Sequence, residues 1–222
     1  TRYPIPDFPM PEASQQYLLD IGCNWGRWCI GAARKGYIPV GIDPNFDAVR
    51  AARRVARQLG VQAVFLVADA RYLPFPESTF DVVFSYSVLQ HFEKQDARIA
   101  LAEAARVLTV SGTSMIQLPN AFGLRNMFNQ AKRGFRKPAD FEVRYYRPSE
   151  LTEIFAQLIG PSTLSVDGYF GLGIQASDKD ILPLAYKLVV NCSELLRGVS
   201  ERLPFMKYWA DSLYVSSGPT HG

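Results

Sequence analysis

The chain has 222 residues, is 48% hydrophobic and carries a formal net charge of +3, which fits one globular domain large enough to bury a substantial core. No run of about 18 or more apolar residues is present, so the sequence predicts no transmembrane helix. Three cysteines and two histidines at scattered positions favour neither a disulfide framework nor a metal site. We therefore expect a cytoplasmic protein with reduced thiols.

The chain begins with a proline-rich segment, residues 1–16, which lacks the apolar stretch of a signal peptide. Its first residue is Thr and not Met, which suggests that the natural protein extends further upstream. After it, short apolar runs alternate with helical patterns. These runs predict strands at Tyr17–Ile21, Ile38–Ile42, Ala63–Ala68, Phe80–Ser85 and Thr113–Leu118. Consecutive apolar residues are typical of strands covered on both faces, so we predict a parallel sheet between helices.

Two amphipathic helices are predicted between these strands. The first has Asn45 as its N-cap. The second carries Leu108 on its apolar stripe and is closed by Ser111 and Gly112. Pro39 lies in the second predicted strand, where a proline is compatible only with the first residue or a bulge.

After Pro119 the composition changes. Residues 121–148 are basic, aromatic and irregular, and a helix capped by Ser149 and ended by Gly160 follows. The remaining elements are strands at Thr163–Tyr169 and Ser212–Ser217 and a helical segment at 178–205. We therefore predict about seven strands in a single domain that spans residues 1–222.

The turn after the first strand, residues 20–26, indicates a ligand site. Ligands of open parallel sheets bind beyond the carboxyl ends of the strands, and Gly22 and Gly26 allow a close backbone approach. The turn lacks the G-x-G-x-x-G pattern that cradles a pyrophosphate, and Asp20 would repel that group. A carboxylate at this position suits a cation such as an ammonium group.

Two further acids end the next two strands. Asp43 is placed to accept hydrogen bonds from ribose hydroxyls, and Asp69 from the exocyclic amine of adenine. An ammonium, a ribose and an adenine without a pyrophosphate describe S-adenosylmethionine. The structural alternatives are that Asp43 only caps a helix and that Asp69 only forms an Asx-turn.

Residues Leu18 to Pro119 resemble the class I S-adenosylmethionine-dependent methyltransferases, in particular small-molecule and quinone-precursor enzymes. The family motif D-x-G-x-G-x-G matches Asp20 to Gly26 except at Asn24, and "FDVVFSYSVLQHF" matches the fourth-strand segment. The resemblance implies a Rossmann-like, doubly wound α/β sheet of order 3-2-1-4-5-7-6, with an antiparallel last strand and a small cap, residues 121–148, after strand 5. The cofactor-site residues it implies are Asp20, Gly22, Cys23, Asn24, Gly26, Asp43, Pro44, Asp69, Ala70 and Ser85.

These features predict methyl transfer from S-adenosylmethionine to a small molecule, with oxygen as the favoured acceptor atom. A phenol has a pKa near ~10, so a nearby base is useful at neutral pH. His91 follows the fourth strand on the cleft side and is the candidate base; alternatively, it only orients its loop. Residues 125–147 contain seven basic and two acidic residues, which favours an anionic, partly apolar or aromatic acceptor. The substrate-binding candidates are Tyr86, Asn120, Arg144 and Tyr146.

The sequence also bears on other methyltransferase classes and on other functions. The segment "SYSVLQHF" lacks the Asn/Asp-Pro-Pro-aromatic motif of adenine and cytosine methyltransferases and the glutamate pair of protein-arginine enzymes. We therefore exclude DNA as a partner and disfavour RNA. The remaining alternatives are an RNA or protein methyltransferase, a cofactor-binding regulatory protein without turnover, and a nicotinamide-dependent oxidoreductase. We expect a monomer or a homodimer.

Overall fold

The computed structural model describes residues 3–170 and 173–219. Its strands are β1 Tyr17–Ile21, β2 Ile38–Asp43, β3 Val64–Val67, β4 Phe80–Ser85, β5 Leu108–Pro119, β6 Ser162–Gly168 and β7 Ser212–Ser217. They form one sheet in the order β3-β2-β1-β4-β5-β7-β6. Strands β1 to β5 pair in parallel, and β7 runs antiparallel to β5 and β6. The predicted fold and strand order are confirmed.

Helices cover the sheet and connect its strands. The α-helices of the described residues are α1 Arg27–Arg34, α2 Phe46–Gln58, α3 Lys94–Val107, α4 Leu124–Lys132, α5 Pro148–Leu158 and α6 Leu184–Arg202. Short 3₁₀ segments lie at Leu89–His91, Ala176–Ile181 and Pro204–Trp209. Helix α2 begins after Asn45, whose side-chain oxygen accepts the first free backbone N–H groups, as predicted. Within the described residues, no helix has the length and apolarity needed to cross a membrane.

The boundary between α3 and β5 differs from the prediction. Helix α3 ends at Val107, and Leu108 begins β5 without an intervening turn. Ser111 and Gly112 therefore lie inside a strand and do not close the helix. The reason is a long-range contact, because Leu108 pairs with Phe80 of β4, and strand pairing outweighs the local helical pattern.

Pro39 and Ser149 also lie at other positions than predicted. Pro39 is the second residue of β2. The N–H of Ile38 points towards β1, so the nitrogen of Pro39 faces the opposite side, where pairing with β3 begins only at Val40. No hydrogen bond of the sheet is lost there. Ser149 lies in the first turn of α5, which begins directly after Arg147.

The N-terminal segment is part of the hydrophobic core. Phe8 is fully buried, and its ring centroid lies 5.0 Å from that of Phe84 in β4. The ammonium group of Lys35 donates a hydrogen bond of 2.6 Å to the carbonyl of Phe8. Leu18 belongs to this cluster, whereas its neighbour Leu19 belongs to the cluster on the other face of the sheet. Both faces of β1 are therefore buried, which holds the end of β1 and its following loop in place.

Candidate functional site

A cleft of about 950 Å³ opens at the carboxyl ends of β1 to β4. This is the edge at which doubly wound sheets bind ligands. Its walls are the loop between β1 and α1, the ends of β2 and β3, and the segment that follows β4. Among the sequence-predicted residues, the lining contains Gly22, Cys23, Asn24, Asp43, Pro44, Asp69, Ala70, Tyr86 and His91.

The loop between β1 and α1 depends on two glycines with left-handed backbone conformations. The φ angles of Gly22 and Gly26 are 75° and 82°. A Cβ atom at Gly22 would lie 2.2 Å from Cγ2 of Val88, and one at Gly26 would lie 2.9 Å from the ring of Phe65. The two positions therefore require glycine both for their backbone conformation and for close packing. Gly22 lies in the cleft wall, whereas Gly26 packs behind it.

Asp20 lies beneath this loop and not in the wall of the cleft. Its side chain is 1% exposed, and the thiol of Cys29 donates a hydrogen bond of 3.2 Å to Oδ2. Burial raises the pKa of Asp20 to about 7, and the charge of Asp43 adds to the effect. Asp20 can therefore act on a ligand only through Gly22 and the neighbouring backbone.

Asp43 joins the first two loops of the cleft. Oδ2 accepts the backbone N–H of Asn24 at 3.0 Å, and Oδ1 accepts that of Asn45 at 2.9 Å. A carboxylate offers about four acceptor positions, so each oxygen keeps a lone pair for a further donor. The carboxylate lies in the cleft wall, which leaves it accessible to a ligand hydroxyl.

Asp69 forms a local ion pair at the end of β3. The guanidinium group of Arg71 donates to Oδ2 at 2.7 Å, and the backbone N–H of Arg71 donates to Oδ1 at 2.9 Å. The hydrogen bonds from Arg71 lower the pKa of Asp69. This geometry includes the Asx-turn that the sequence left open as an alternative. Asp69 and Ala70 nevertheless both line the cleft.

Ser85 lies behind the cleft, at the end of β4. It is fully buried, and its hydroxyl group donates a hydrogen bond of 3.0 Å to the carbonyl of Ile21. This contact joins the ends of β1 and β4. Ser85 therefore supports the loop and does not line the cleft.

His91 connects the cleft to the segment after β5. Its Nδ1 lies 2.9 Å from the carbonyl oxygen of Phe141, and since a carbonyl can only accept, we assign the proton to Nδ1. Nε2 is then the acceptor, and Nε2 of Gln90 lies 3.2 Å from it. The imidazole also stacks on the Phe141 ring, with 4.5 Å between centroids. Nε2 of His91 is thus the free acceptor of the ring, and in this structure the side-chain amide of Gln90 donates to it.

Asn120 and Arg144 lie away from the cleft. Asn120 is fully buried, and its Nδ2 donates a hydrogen bond of 2.8 Å to the carbonyl of Ala210. Arg144 is also buried, donates to the carbonyl of His91 and forms an ion pair with Glu93. The hydrogen bonds and the ion pair of these two side chains are made within the protein, and Nε of Arg144 has no partner among the described residues. Neither side chain is part of the cleft lining.

The two tyrosine candidates have different surroundings. Tyr146 is buried outside the cleft, and its hydroxyl has no hydrogen-bond partner among the described residues. Tyr86 lies in the cleft wall. Its hydroxyl donates to Asp167 at 3.1 Å and accepts from the side chain of Gln175 at 2.5 Å. Of the four substrate-binding candidates, Tyr86 is the one that the structure places at the cleft.

A second cavity, of about 230 Å³, adjoins the cleft and shares Tyr86, Ser87 and Gly173 with it. Most other side chains in its wall are neutral hydrogen-bonding groups: Gln90, Gln117, Asn126, Asn129, Tyr145 and Ser212. We call it the polar cavity. The sequence prediction missed it, because its residues come from segments far apart in the chain. The one available signal was Gln117, a polar side chain near the end of a buried strand.

Comparison with known proteins agrees with this geometry. Residues 18–112 match the family model of a methyltransferase domain. This segment, somewhat under half of the chain, is a methyltransferase domain of the class I S-adenosylmethionine-dependent type. Its cofactor is S-adenosylmethionine, and the cleft fits that molecule, because Gly22 leaves the backbone accessible and Asp43 keeps free acceptor positions.

Named relatives of this methyltransferase include enzymes of small-molecule metabolism. It is 27% identical to ajmaline N-methyltransferase of Rauvolfia serpentina over 198 residues, which cover 85% of this chain and 66% of that protein. It is 36% identical to 27-O-demethylrifamycin SV methyltransferase of Amycolatopsis mediterranei over 106 residues, 46% of this chain and 38% of that protein. The chain thus spans about two thirds of one curated relative and under half of the other.

The fold of the methyltransferase is shared with solved structures. A SAM-dependent methyltransferase from Methanosarcina mazei superimposes with a TM-score of 0.65 at 18% identity. The match covers 94% of this chain and 95% of that one. At this identity, the similarity concerns the fold alone.

Proposed function

We propose that this protein transfers the methyl group of S-adenosylmethionine to an oxygen atom of a small molecule. The observation that carries the proposal is the polar cavity, which adjoins the cofactor cleft and shares Tyr86 and Ser87 with it. Its volume of about 230 Å³ suits a small acceptor or one polar part of a larger one. The small-molecule names of the two curated relatives support the same class of acceptor.

In this proposal, different residues of the cleft bind different parts of the cofactor. The turn of Gly22, Cys23 and Asn24 holds the methionine end, Asp43 the ribose, and Asp69 the adenine. S-adenosylmethionine supplies a methyl group that is electrophilic because it is bound to a sulfonium. The protein holds the acceptor in line with that group and takes up the acceptor's proton.

The acceptor class differs from the one that the basic cap suggested. Arg133 and Arg136 both lie near Glu142, at 3.8 and 2.6 Å, and Arg144 is paired with Glu93. No arginine or lysine is among the residues that line the polar cavity, and its charged residue is Asp211. The oxygens of Asp211 accept the backbone N–H groups of Asn126 and Phe170. We therefore propose a neutral, hydrogen-bonding acceptor group in place of an anionic one.

His91 is the proposed base, acting through Nε2. Nδ1 donates to the carbonyl of Phe141, which orients the ring and leaves the lone pair on Nε2. Gln90 lines the polar cavity and contacts Nε2. An acceptor hydroxyl in the polar cavity would take the place of the Gln90 amide at this nitrogen.

Substitution of Asp43 tests the cofactor site. Asp43→Ala should weaken binding of S-adenosylmethionine and S-adenosylhomocysteine by about tenfold or more, ~1.4 kcal/mol, because the ribose loses its acceptor. Titration calorimetry measures both affinities. Asp47→Ala is the control, since its side chain is 76% exposed on α2 and lies outside the cleft. Absence of binding to the wild-type protein would contradict the cofactor assignment.

Substitution of His91 tests the proposed base. His91→Asn keeps a donor towards the Phe141 carbonyl but removes the basic nitrogen, so kcat should fall by about 10²- to 10⁴-fold while cofactor affinity stays unchanged. The assay transfers an isotope-labelled methyl group to a panel of phenols, alcohols and amines, with products identified by mass spectrometry. Amines are included because one relative is named for N-methylation. An unchanged kcat would leave His91 as a residue that only orients its loop.

A further inference from the structure

Helices α4 and α6 leave an apolar surface exposed on the outside of the molecule. They form an open groove of about 690 Å³. Four of its large side chains are exposed: Leu124 by 59%, Phe128 by 67%, Tyr186 by 46% and Leu188 by 62%. We call the groove and these side chains the α4–α6 surface. Contiguous exposed apolar groups of this kind mark an interaction site on a soluble domain.

The apolar character extends beyond the groove. On the α4 side, Phe122 and Met127 are exposed, and Leu184 is exposed at the start of α6. Leu124 and Phe128 are four residues apart, and therefore lie on the same face of α4. The exposed apolar side chains are thus arranged on neighbouring faces of two helices and are not scattered.

The chain around α4 is strongly basic. Residues 122–137 contain five basic residues and no acidic one. Arg125 lines the groove. Lys132 and Lys137 are exposed, and within the described part of the chain neither takes part in an ion pair. The positive charge of the segment is therefore only partly neutralised, through the contacts of Arg133 and Arg136 with Glu142.

The active site does not account for these charges. None of the five basic residues is among those that line the cofactor cleft or the polar cavity. Arg125 instead lines the groove beside the apolar side chains, and Lys132 lies one helical turn after Phe128 on α4. Their function is therefore to be sought in a partner outside the cleft.

We propose that the α4–α6 surface docks the protein on an anionic lipid bilayer. Leu124, Phe128 and Leu188 would enter the boundary between headgroups and acyl chains, and Lys132 and Lys137 would contact lipid phosphates. A mixture of exposed leucine and phenylalanine with lysine and arginine is typical of peripheral membrane attachment.

Two other partners fit the surface less well. A nucleic acid would use the positive charges but would gain little from Leu124 and Leu188. In a symmetric dimer the same patch meets itself, so two copies of the basic segment would face each other and repel. An anionic bilayer satisfies the charges and the apolar side chains together.

Vesicle flotation tests the proposal with the complete chain. We expect the wild-type protein to float with vesicles of phosphatidylcholine and phosphatidylglycerol, and not with phosphatidylcholine alone. The double variant Phe128→Asp/Leu188→Asp should lower the partition coefficient at least tenfold, roughly, because it places charges at the boundary. The double variant Lys132→Gln/Lys137→Gln should lower it by roughly tenfold or more, at about 1 kcal/mol for each cation.

Matched controls distinguish an effect of this surface from the effects of any exposed apolar residue and of the net charge. Val110→Asp changes an exposed apolar residue of β5, and Arg54→Gln/Arg57→Gln removes two exposed charges from α2; both should bind like the wild type. Circular dichroism and thermal unfolding establish that each variant is folded. The proposal is overturned if the wild type does not float with anionic vesicles or if the control variants lose binding equally. Two further outcomes would overturn it. In sedimentation experiments, the α4–α6 variants would lose RNA binding or dimerisation, while their binding to anionic vesicles would stay as in the wild type.

Discussion

Asp20 illustrates how the environment of one side chain alters its chemistry. The carboxyl group is buried beneath the loop between β1 and α1 and accepts a hydrogen bond from Cys29. Burial raises its pKa to about 7, whereas an aspartate in an unfolded chain titrates near ~4. Between about pH 4 and 7, the folded protein therefore holds a proton that the unfolded chain has lost.

This difference predicts a pH dependence of stability. As pH rises from about 5 to 8, the free energy of unfolding of the ligand-free protein should fall by roughly 2 to 3 kcal/mol through Asp20 alone. The sign follows because the folded state binds more protons in this range, so deprotonation favours unfolding. Asp20→Asn should remove this contribution, as measured by urea unfolding across the range.

The matched control for this prediction is Asp47→Asn. The Asp47 side chain is exposed and lies on α2, so its replacement should leave the pH dependence as in the wild-type protein. A pH dependence in Asp20→Asn that equals that of the wild type would show that Asp20 is already ionised in the folded state.

At the residue scale, local sequence predicted some contacts and missed others. The Asx-turn at Asp69 was predictable as an alternative, because Arg71 is only two residues away. The hydrogen bond between His91 and Phe141 was not predictable, because 50 residues separate the two. Asn120 was predicted to contact the substrate, but its side-chain amide donates a hydrogen bond to the carbonyl of Ala210.

At the scale of elements, the loop between β1 and α1 is held by packing as well as by backbone conformation. Gly26 has a φ of 82°, and a Cβ there would collide with the Phe65 ring. Gly60, after α2, has a φ of 65°, but nothing lies within 4 Å of a Cβ at that position. At Gly60, an added Cβ would meet only the free-energy cost of the left-handed backbone conformation. At Gly26, it would also meet the cost of a steric clash.

Alanine substitution of these glycines should therefore have unequal effects. Gly60→Ala should lower the free energy of unfolding by about 1–2 kcal/mol, the cost of a left-handed residue with a Cβ. Gly26→Ala should lower it by a further 1–3 kcal/mol, roughly, because the Phe65 ring must move. Urea unfolding of both variants measures the difference. Equal losses would mean that the packing around Gly26 relaxes without cost.

Helix α4 was not predicted, because the sequence indicated an irregular segment at residues 121–148. The first strands carry continuous apolar runs between turn residues, and a buried parallel sheet requires this pattern. Helix α4 leaves Leu124, Met127 and Phe128 exposed, so its apolar residues do not mark a core-facing stripe in the usual way. The start of β5 was hidden because its pairing with β4 is a long-range interaction.

At the scale of the whole molecule, the polar cavity exists because hydrogen bonds and an ion pair join segments that are distant in the chain. The side-chain amide of Asn126 donates to the carbonyls of Asn120 and Asp211 at 2.8 and 2.7 Å. Arg144 connects the same segment to Glu93, beyond the end of β4. These contacts place residues 121–148 between β7 and the segment after β4. The polar cavity is therefore a product of the complete fold.

The sequence by itself determined the class of sheet, the edge of the sheet at which the cleft opens and the acids at the strand ends. It could do so because strand burial and the glycine turn are local patterns, and because parallel strands bring their carboxyl ends to one edge. Only the tertiary structure decided which polar side chains line the polar cavity and which cations face outward. Those choices depend on partners such as Glu142 for Arg136 and Asp211 for Asn126, and packing between separate elements selects such partners.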